Sequence, residues 1–114
     1  MDTNRILDRL REFRDKRNWA QFHSAKNLAI SVSVEAAELL EIFQWSGEAD
    51  TKEAQAAAAA KEEVADIFLY LLLLCDRLAI DLEAATLEKL DINEERFLVD
   101  RSFGVAKPNR NSRS

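Results

Sequence analysis

The near absence of glycine and proline constrains the fold of this chain more than any other feature of its sequence. Its 114 residues include only 2 glycines and 1 proline. All-β sandwiches and barrels depend on these residues for their many turns, so such folds are disfavoured. Hydrophobic residues make up 47% of the chain, which is enough for a packed core and too much for a disordered chain. The sequence therefore predicts an all-α fold in a single domain.

Hydrophobic periodicity predicts a subunit of four helices. We expect them at about residues 2–16, 27–44, 52–78 and 82–97. Asp50 or Thr51 is a suitable N-cap for the third helix, and Asp81 for the fourth. Residues 1–99 are expected to form the domain. Residues 100–114, which contain four basic residues and one acidic residue, are expected to form a flexible basic tail.

Charge and apolar runs exclude several classes of partner. The net charge is -5, which disfavours a general binder of nucleic-acid backbones. The longest apolar run, residues 67–75, is too short to cross a bilayer, and the amino terminus lacks the apolar stretch of a signal peptide. The single cysteine, Cys75, cannot form an internal disulfide, which fits a reducing compartment. We therefore expect a cytoplasmic protein that binds neither membranes nor nucleic-acid polymers.

The second predicted helix carries a narrow acidic stripe. Most of its circumference is apolar, and its polar residues recur at helical spacing along one face: Asn27, Ser31, Glu35, Glu38 and Glu41. Two carboxylates three residues apart in apolar surroundings repel each other and lose hydration unless a cation or hydrogen-bond donors compensate. Such a pair alone is weak evidence, because any glutamate-rich helix contains some by chance.

The third helix repeats the pattern with Glu63 and Asp66, and Asp66 stands among apolar residues. If the two helices pack antiparallel, four carboxylates converge. An oxygen-only set of this kind suits Mg²⁺, with Mn²⁺ as a possible substitute. One histidine and one cysteine are too few for a typical zinc site, and no Glu-x-x-His motif supports a di-iron bundle.

A carboxylate-bound Mg²⁺ usually takes its remaining ligands from water and phosphates, so basic and aromatic residues near the acids matter. Lys89, Asn93 and Arg96 share one face of the fourth helix and could contact phosphates, although a solvated basic edge explains each of them as well. Aromatic faces and histidine edges bind nucleobases. The residues that flank the acidic helix and favour such a role are Trp19, His23 and Trp45. Phe22 is expected instead to hold the first loop against the core.

Several motifs together resemble a known family. They are Trp19-Ala-Gln-Phe-His23, Glu35-Ala-Ala-Glu38, Glu63-Val-Ala-Asp66 and Lys89-Leu-Asp-Ile-Asn93. In this order, over roughly residues 3–97, they resemble the MazG-like group of all-α nucleoside triphosphate pyrophosphohydrolases, and most closely its dCTP pyrophosphatase branch.

The resemblance implies Mg²⁺-dependent cleavage between the α and β phosphates, which releases a monophosphate and pyrophosphate. It implies metal ligation and catalysis by four acids: Glu35, Glu38, Glu63 and Asp66. It implies a base pocket shaped by Trp19, His23, Asn27 and Trp45, and phosphate or sugar contacts from Lys89, Asn93 and Arg96. It also implies a homo-oligomeric helical bundle, a tetramer in preference to a dimer. The apolar third helix agrees with association between copies, since one small subunit cannot cover it.

Two alternatives to a dCTP pyrophosphatase remain open from the sequence. Within the same class, the enzyme would hydrolyse dUTP or a broad range of triphosphates. In a different class, the chain would be a non-catalytic helical interaction module that binds a partner through its apolar third helix.

Overall fold

The computed structural model describes residues 1–44 and 53–106. These residues form α1 (Thr3–Lys16), a short 3₁₀ helix (Ala20–Phe22), α2 (Ala25–Phe43), α3 (Glu53–Leu78), α4 (Leu82–Arg96) and α5 (Val99–Ser102). No β-strand occurs in the described ranges. The predicted all-α fold is confirmed, and four of the five α-helices lie where the periodicity predicts them.

The residues that cap the helices can be compared with those predicted from the sequence. Asp81 caps α4 as predicted, because its side-chain oxygen accepts a hydrogen bond from the Ala84 amide at 3.1 Å. The start of α2 precedes the predicted start by two residues, since the Ser24 hydroxyl caps it by accepting from the Asn27 amide at 3.1 Å. The predicted cap of α3 at Asp50 or Thr51 lies outside the described residues. The single turn of α5 was not predicted, because one turn is too short to show a period.

The chain divides into two compact units, residues 1–79 and 80–114. In the first unit, α2 and α3 are joined by a short connection and pack against each other along their lengths, so they run antiparallel. The first helix rests on α3. This arrangement brings the acidic faces of α2 and α3 together, as expected if the two helices pack antiparallel.

Only three of the described residues are buried. Leu28 of α2 is 1% exposed, and Leu72 and Leu73 of α3 are 4% and 6% exposed. The other seven residues of the apolar run 67–75 are only half-buried in the single chain. This agrees with the expectation that one small subunit cannot cover the third helix, because two packed neighbours cannot surround a helix that is apolar on every face.

An ion-pair network joins α1 to α3. The Asp76 carboxylate accepts hydrogen bonds from the guanidinium groups of Arg11 and Arg14, and the Arg14 Nη1–Asp76 Oδ2 distance is 3.4 Å. The hydrogen bond from Arg11 is the main cause that lowers the pKa of Asp76. This network fixes the carboxyl-terminal half of α1 beside α3.

The second unit contains α4 and α5. Leu87, Leu90 and Ile92 of α4 are exposed, and the Phe97 amide closes the helix by donating to the Asn93 carbonyl at 2.8 Å. The predicted boundary between domain and tail falls inside α5, and that division stays a prediction. Among the helices that the structure describes, none combines the length and the apolar character needed to span a membrane.

Candidate active site

Three carboxyl groups converge where α2 faces α3. One oxygen from each of Glu35, Glu63 and Asp66 lies within 4.8 Å of the oxygens of the other two. Glu63 and Asp66 are three residues apart on α3 and therefore share its face toward α2. The antiparallel pairing brings Glu35 of α2 opposite them.

Glu38, the fourth predicted acid, lies at the edge of this cluster. Its carboxyl group interacts with those of Glu35 and Glu63, and the contact with Glu35 is the main cause that raises the pKa of Glu38. Its side chain is exposed, and so is that of Asp66, whereas Glu35 and Glu63 are half-buried. The acids are therefore more open to solvent than their apolar sequence neighbours suggest, because those neighbours also face solvent in the single chain.

Among the described residues, no basic side chain forms an ion pair with the cluster. The pKa of Glu35 is raised, mainly by the Glu63 carboxyl group and next by burial. None of the ion pairs found within the described ranges, residues 1–44 and 53–106, involves any of the four acids. Such an arrangement is electrostatically unfavourable unless protons or a cation neutralise it.

One carboxylate oxygen of the cluster is evidence for a cation site. Glu63 Oε2 is buried and has no hydrogen-bond partner among the residues that the structure describes. A buried carboxylate oxygen without a partner carries a desolvation penalty that a metal ion would remove. The donor set consists of oxygen atoms only, which fits a hard divalent cation such as Mg²⁺ or Mn²⁺.

A small cavity of about 200 Å³ adjoins the cluster. It is lined by Leu10, Phe13, Arg14, Trp19, His23, Asp66, Leu69, Tyr70 and Leu73. Asp66 therefore belongs both to the acid cluster and to the cavity wall. Two of the residues predicted to shape a base pocket, Trp19 and His23, lie in the same wall.

Trp19 and His23 reach the cavity from the segment that follows α1. The Trp19 ring meets the Phe13 ring edge-on, with centroids 5.7 Å apart, and remains 44% exposed. His23 has a buried Nδ1 without a hydrogen-bond partner in the described part of the chain. Burial, followed by the charge of Arg14, lowers the pKa of His23, so the imidazole is neutral at neutral pH and can exchange hydrogen bonds with a ligand.

Two neighbouring residues have structural contacts. The Asn27 side-chain amide donates to the Phe22 carbonyl at 3.0 Å and so ties α2 to the preceding 3₁₀ turn; its predicted part in the pocket stays a prediction. Phe22 was expected to hold the loop against the core, but it is 60% exposed. That expectation is wrong because the Trp19–Phe13 contact fixes the loop instead.

The predicted phosphate contacts belong to the second unit. Lys89 and Asn93 line a shallow depression of about 290 Å³ on α4. Arg96 is half-buried, with its guanidinium carbon 5.1 Å from the centre of the Phe97 ring. Trp45 lies outside the described residues. The roles of these four residues stay predictions.

Sequence reasoning missed two polar residues of the cavity wall, Arg14 and Tyr70. Tyr70 follows Asp66 by four positions and so lies on the same face of α3, a spacing that could have revealed it. Arg14 carries no local signal, because it meets the cavity only through the packing of α1 on α3.

Comparisons with known proteins agree with this geometry. A family model described as MazG-like matches residues 30–110. Two similar curated proteins are named dCTP pyrophosphatase 1. The protein from Rattus norvegicus is 37% identical over 99 residues, which cover 83% of this chain and 58% of the relative, and the protein from Homo sapiens is 38% identical over 90 residues, which cover 75% and 53%. The chain thus spans little more than half the length of these relatives.

A solved structure is also similar. It is a pyrophosphatase from Archaeoglobus fulgidus, which matches with a TM-score of 0.80 and 43% identity over 86% of this chain and 94% of that one. The chain is an all-α protein with an acid cluster between two antiparallel helices. Together with these features, the match of the family model shows that the chain belongs to the MazG-like family.

Proposed function

We propose that the protein hydrolyses deoxynucleoside triphosphates, dCTP or a related one, to the monophosphate and pyrophosphate, and so cleans the nucleotide pool of the cytoplasm. The observation that carries this proposal is the buried Glu63 oxygen inside an acid cluster, which has no hydrogen-bond partner among the described residues. The cluster adjoins a cavity lined mainly by apolar and aromatic side chains. Membership of the MazG-like family and similarity to proteins named dCTP pyrophosphatase support the same activity.

Mg²⁺ would be held by the four clustered acids, Glu35, Glu38, Glu63 and Asp66. When bound, the ion supplies charge neutralisation of the phosphates and a water of lowered pKa. The protein's own contribution is to orient the substrate. The cavity beside Asp66 would hold the base between Trp19 and His23, while Lys89, Asn93 and Arg96 of α4 are the proposed contacts to phosphate or sugar.

Association of copies is part of the proposal. The side chains of Ile30, Val34 and Leu40 on α2 and Val64 on α3 are each at least half exposed. Exposed apolar surface along two long helices favours burial against a second copy. A homotetramer is expected in preference to a dimer, and light scattering coupled to size exclusion measures it.

The decisive experiment is a panel of nucleoside triphosphates, each with and without Mg²⁺, with pyrophosphate release as the readout. We expect turnover only with the metal, and loss of turnover in Glu38→Gln and Asp66→Asn. Glu62→Gln is the matched control, because Glu62 is exposed, adjoins Glu63 on α3 and lies outside the cluster.

The panel also tests the alternatives. Preference for dUTP, or equal rates for all triphosphates, would favour the related hydrolases over a dCTP enzyme. If the folded protein with Mg²⁺ turns over none of them, the chain is a non-catalytic helical interaction module.

A further inference from the structure

An arginine lies in the wall of the small cavity next to the acid cluster. Arg14 of α1 faces the cavity together with Trp19, His23 and Tyr70. Its side chain is only 19% exposed. Among the nine residues of the wall it is the only arginine or lysine, so it supplies the only permanent positive charge there.

The guanidinium group of Arg14 is held by two carboxylates. Its Nε donates to Asp15 at 2.8 Å, and its Nη1 donates to Asp76 at 3.4 Å. Asp76 is itself held by Arg11. A guanidinium group carries five N–H donors in a fixed plane, so these two contacts leave further donors for a ligand. Because the guanidinium group is already ordered, binding a ligand costs the Arg14 side chain little additional entropy.

Arg14 also lines a second cavity. This cavity of about 330 Å³ shares Arg14, His23 and Leu73 with the first and is bordered by Asp76 and Arg77. Arg14 and His23 therefore stand between the two spaces. Without the carboxylate of Asp76, of these two contacts only that with Asp15 would hold the guanidinium group.

The size and lining of the first cavity select the part of a nucleotide that fits it. A volume of about 200 Å³ is below the roughly 300–1,000 Å³ of pockets that enclose a whole ligand, so only a fragment enters. Leucine, phenylalanine, tryptophan and tyrosine side chains dominate the wall. A planar base suits these neighbours, whereas a triphosphate requires the cation site outside.

We propose that Arg14 is a specificity-determining residue whose guanidinium group donates a hydrogen bond to a carbonyl oxygen of the nucleobase, and that Asp76 is a positioning residue that holds it there. This inference rests on the proposed function. Arginine has donors and no acceptor, so it favours bases that present a carbonyl oxygen. Cytosine, uracil, thymine and guanine do so, whereas adenine has none.

The test compares kcat and KM for dCTP and dATP in Arg14→Met, Asp76→Asn and the control Arg9→Met. Arg9 is an exposed arginine of the same helix that does not line the cavity. In Arg14→Met we expect the preference for dCTP over dATP to fall at least about tenfold, through KM rather than kcat, as for a lost hydrogen bond to a charged donor. Asp76→Asn should lower the preference for dCTP over dATP by a smaller factor. Arg14→Lys should restore part of this preference, and Arg9→Met should show the wild-type preference.

Binding of deoxycytidine gives a readout that needs neither metal nor turnover. His23 is the only histidine of the chain and lines the cavity, so its imidazole signals in an NMR spectrum are unambiguous and respond to a ligand bound there. Deoxycytidine should shift them in the wild type, and Arg14→Met should weaken that binding at least about tenfold.

The outcomes separate the two proposals. If the wild type hydrolyses triphosphates while Arg14→Met keeps the preference and the deoxycytidine affinity, the inference about Arg14 is overturned and the proposed function stands. If Arg14→Met lowers kcat/KM equally for dCTP and dATP, Arg14 serves the phosphates or the fold, and the inference is again overturned. If the wild type neither hydrolyses a triphosphate nor binds deoxycytidine, both proposals fail.

Discussion

The carboxyl group of Glu35 on α2 lies against that of Glu63 on α3, and this contact is the largest cause of the raised pKa of Glu35. Two helices thus meet through groups that repel each other when ionised. Repulsion of this kind lowers the stability of the metal-free protein. A cation that relieves the repulsion should therefore stabilise the folded protein. The loss of stability from repulsion and the gain from the cation can be measured separately.

Glu35→Gln should raise the melting temperature of the metal-free protein at pH 7. A folded-state pKa above the unfolded value means that the folded chain holds the proton more tightly. Its relative stability is therefore greatest below about pH 4.3, the unfolded value, and is lost as pH rises through the folded pKa. Above that pKa the ionised carboxylate carries the penalty, and a neutral amide removes it. Thermal unfolding in EDTA measures the effect.

Glu41→Gln is the control for this substitution, since Glu41 is an exposed acid of the same helix and should change the melting temperature little. A lower melting temperature for Glu35→Gln than for the control would contradict the prediction.

Mg²⁺ or Mn²⁺ should raise the melting temperature of the wild-type protein. A ligand that binds only the folded state contributes about 2.7 kcal/mol at a concentration 100 times its Kd. Glu63→Gln should abolish most of the shift, because it removes the charge of the group whose buried oxygen has no partner in the described part of the chain. Calorimetry at matched ionic strength makes the comparison, with NaCl as the control salt. An equal shift in the variant would place the metal elsewhere.

The sequence predicts the site better than the pocket around it, and the reason is distance along the chain. Spacings of three and four residues place Glu35 with Glu38, and Glu63 with Asp66, on shared helix faces. The wall of the cavity depends on the packing of α1 against α3, between residues more than 50 positions apart, which no local period encodes. Arg14 was therefore missed. The same reason applies to the run 67–75, which one copy leaves mostly half-buried: periodicity identifies an apolar face but not the helix that covers it.

Asp76→Asn should destabilise the protein by about 1–2 kcal/mol at neutral pH, as for hydrogen bonds to charged groups in a half-buried setting. The arginines lower the pKa of Asp76 in the folded state. Its contribution is therefore present above the unfolded value of about 3.9 and is lost as pH falls through the folded pKa. Urea unfolding at pH 7 and at pH 3 should show the difference between variant and wild type shrinking in acid.

Asp8→Asn is the matched control for Asp76→Asn. Asp8 also pairs with Arg11, at 3.3 Å, but its side chain is 75% exposed, so its removal should change stability by less than about 0.5 kcal/mol. Equal losses in the two variants would show that the contact between α1 and α3 adds nothing to an exposed pair.

Ala79→Gly should stabilise the fold at the end of α3. Ala79 has φ 55°, a left-handed conformation that costs a residue with a Cβ about 1–2 kcal/mol. Its amide donates to the Asp76 carbonyl at 3.4 Å, so the backbone is held in place as at a helix C-cap. Glycine removes the steric cost but gives the unfolded chain about 0.4–1 kcal/mol of extra entropy. A net gain of about 0.5–1 kcal/mol is expected in urea unfolding.

Asn18 provides the comparison for Ala79. It has φ 54°, nearly the same conformation, but asparagine tolerates the left-handed region far better than alanine does. Asn18→Gly should therefore gain little or nothing. A gain for Asn18→Gly as large as that for Ala79→Gly would mean that the strain at Ala79 is not the cause.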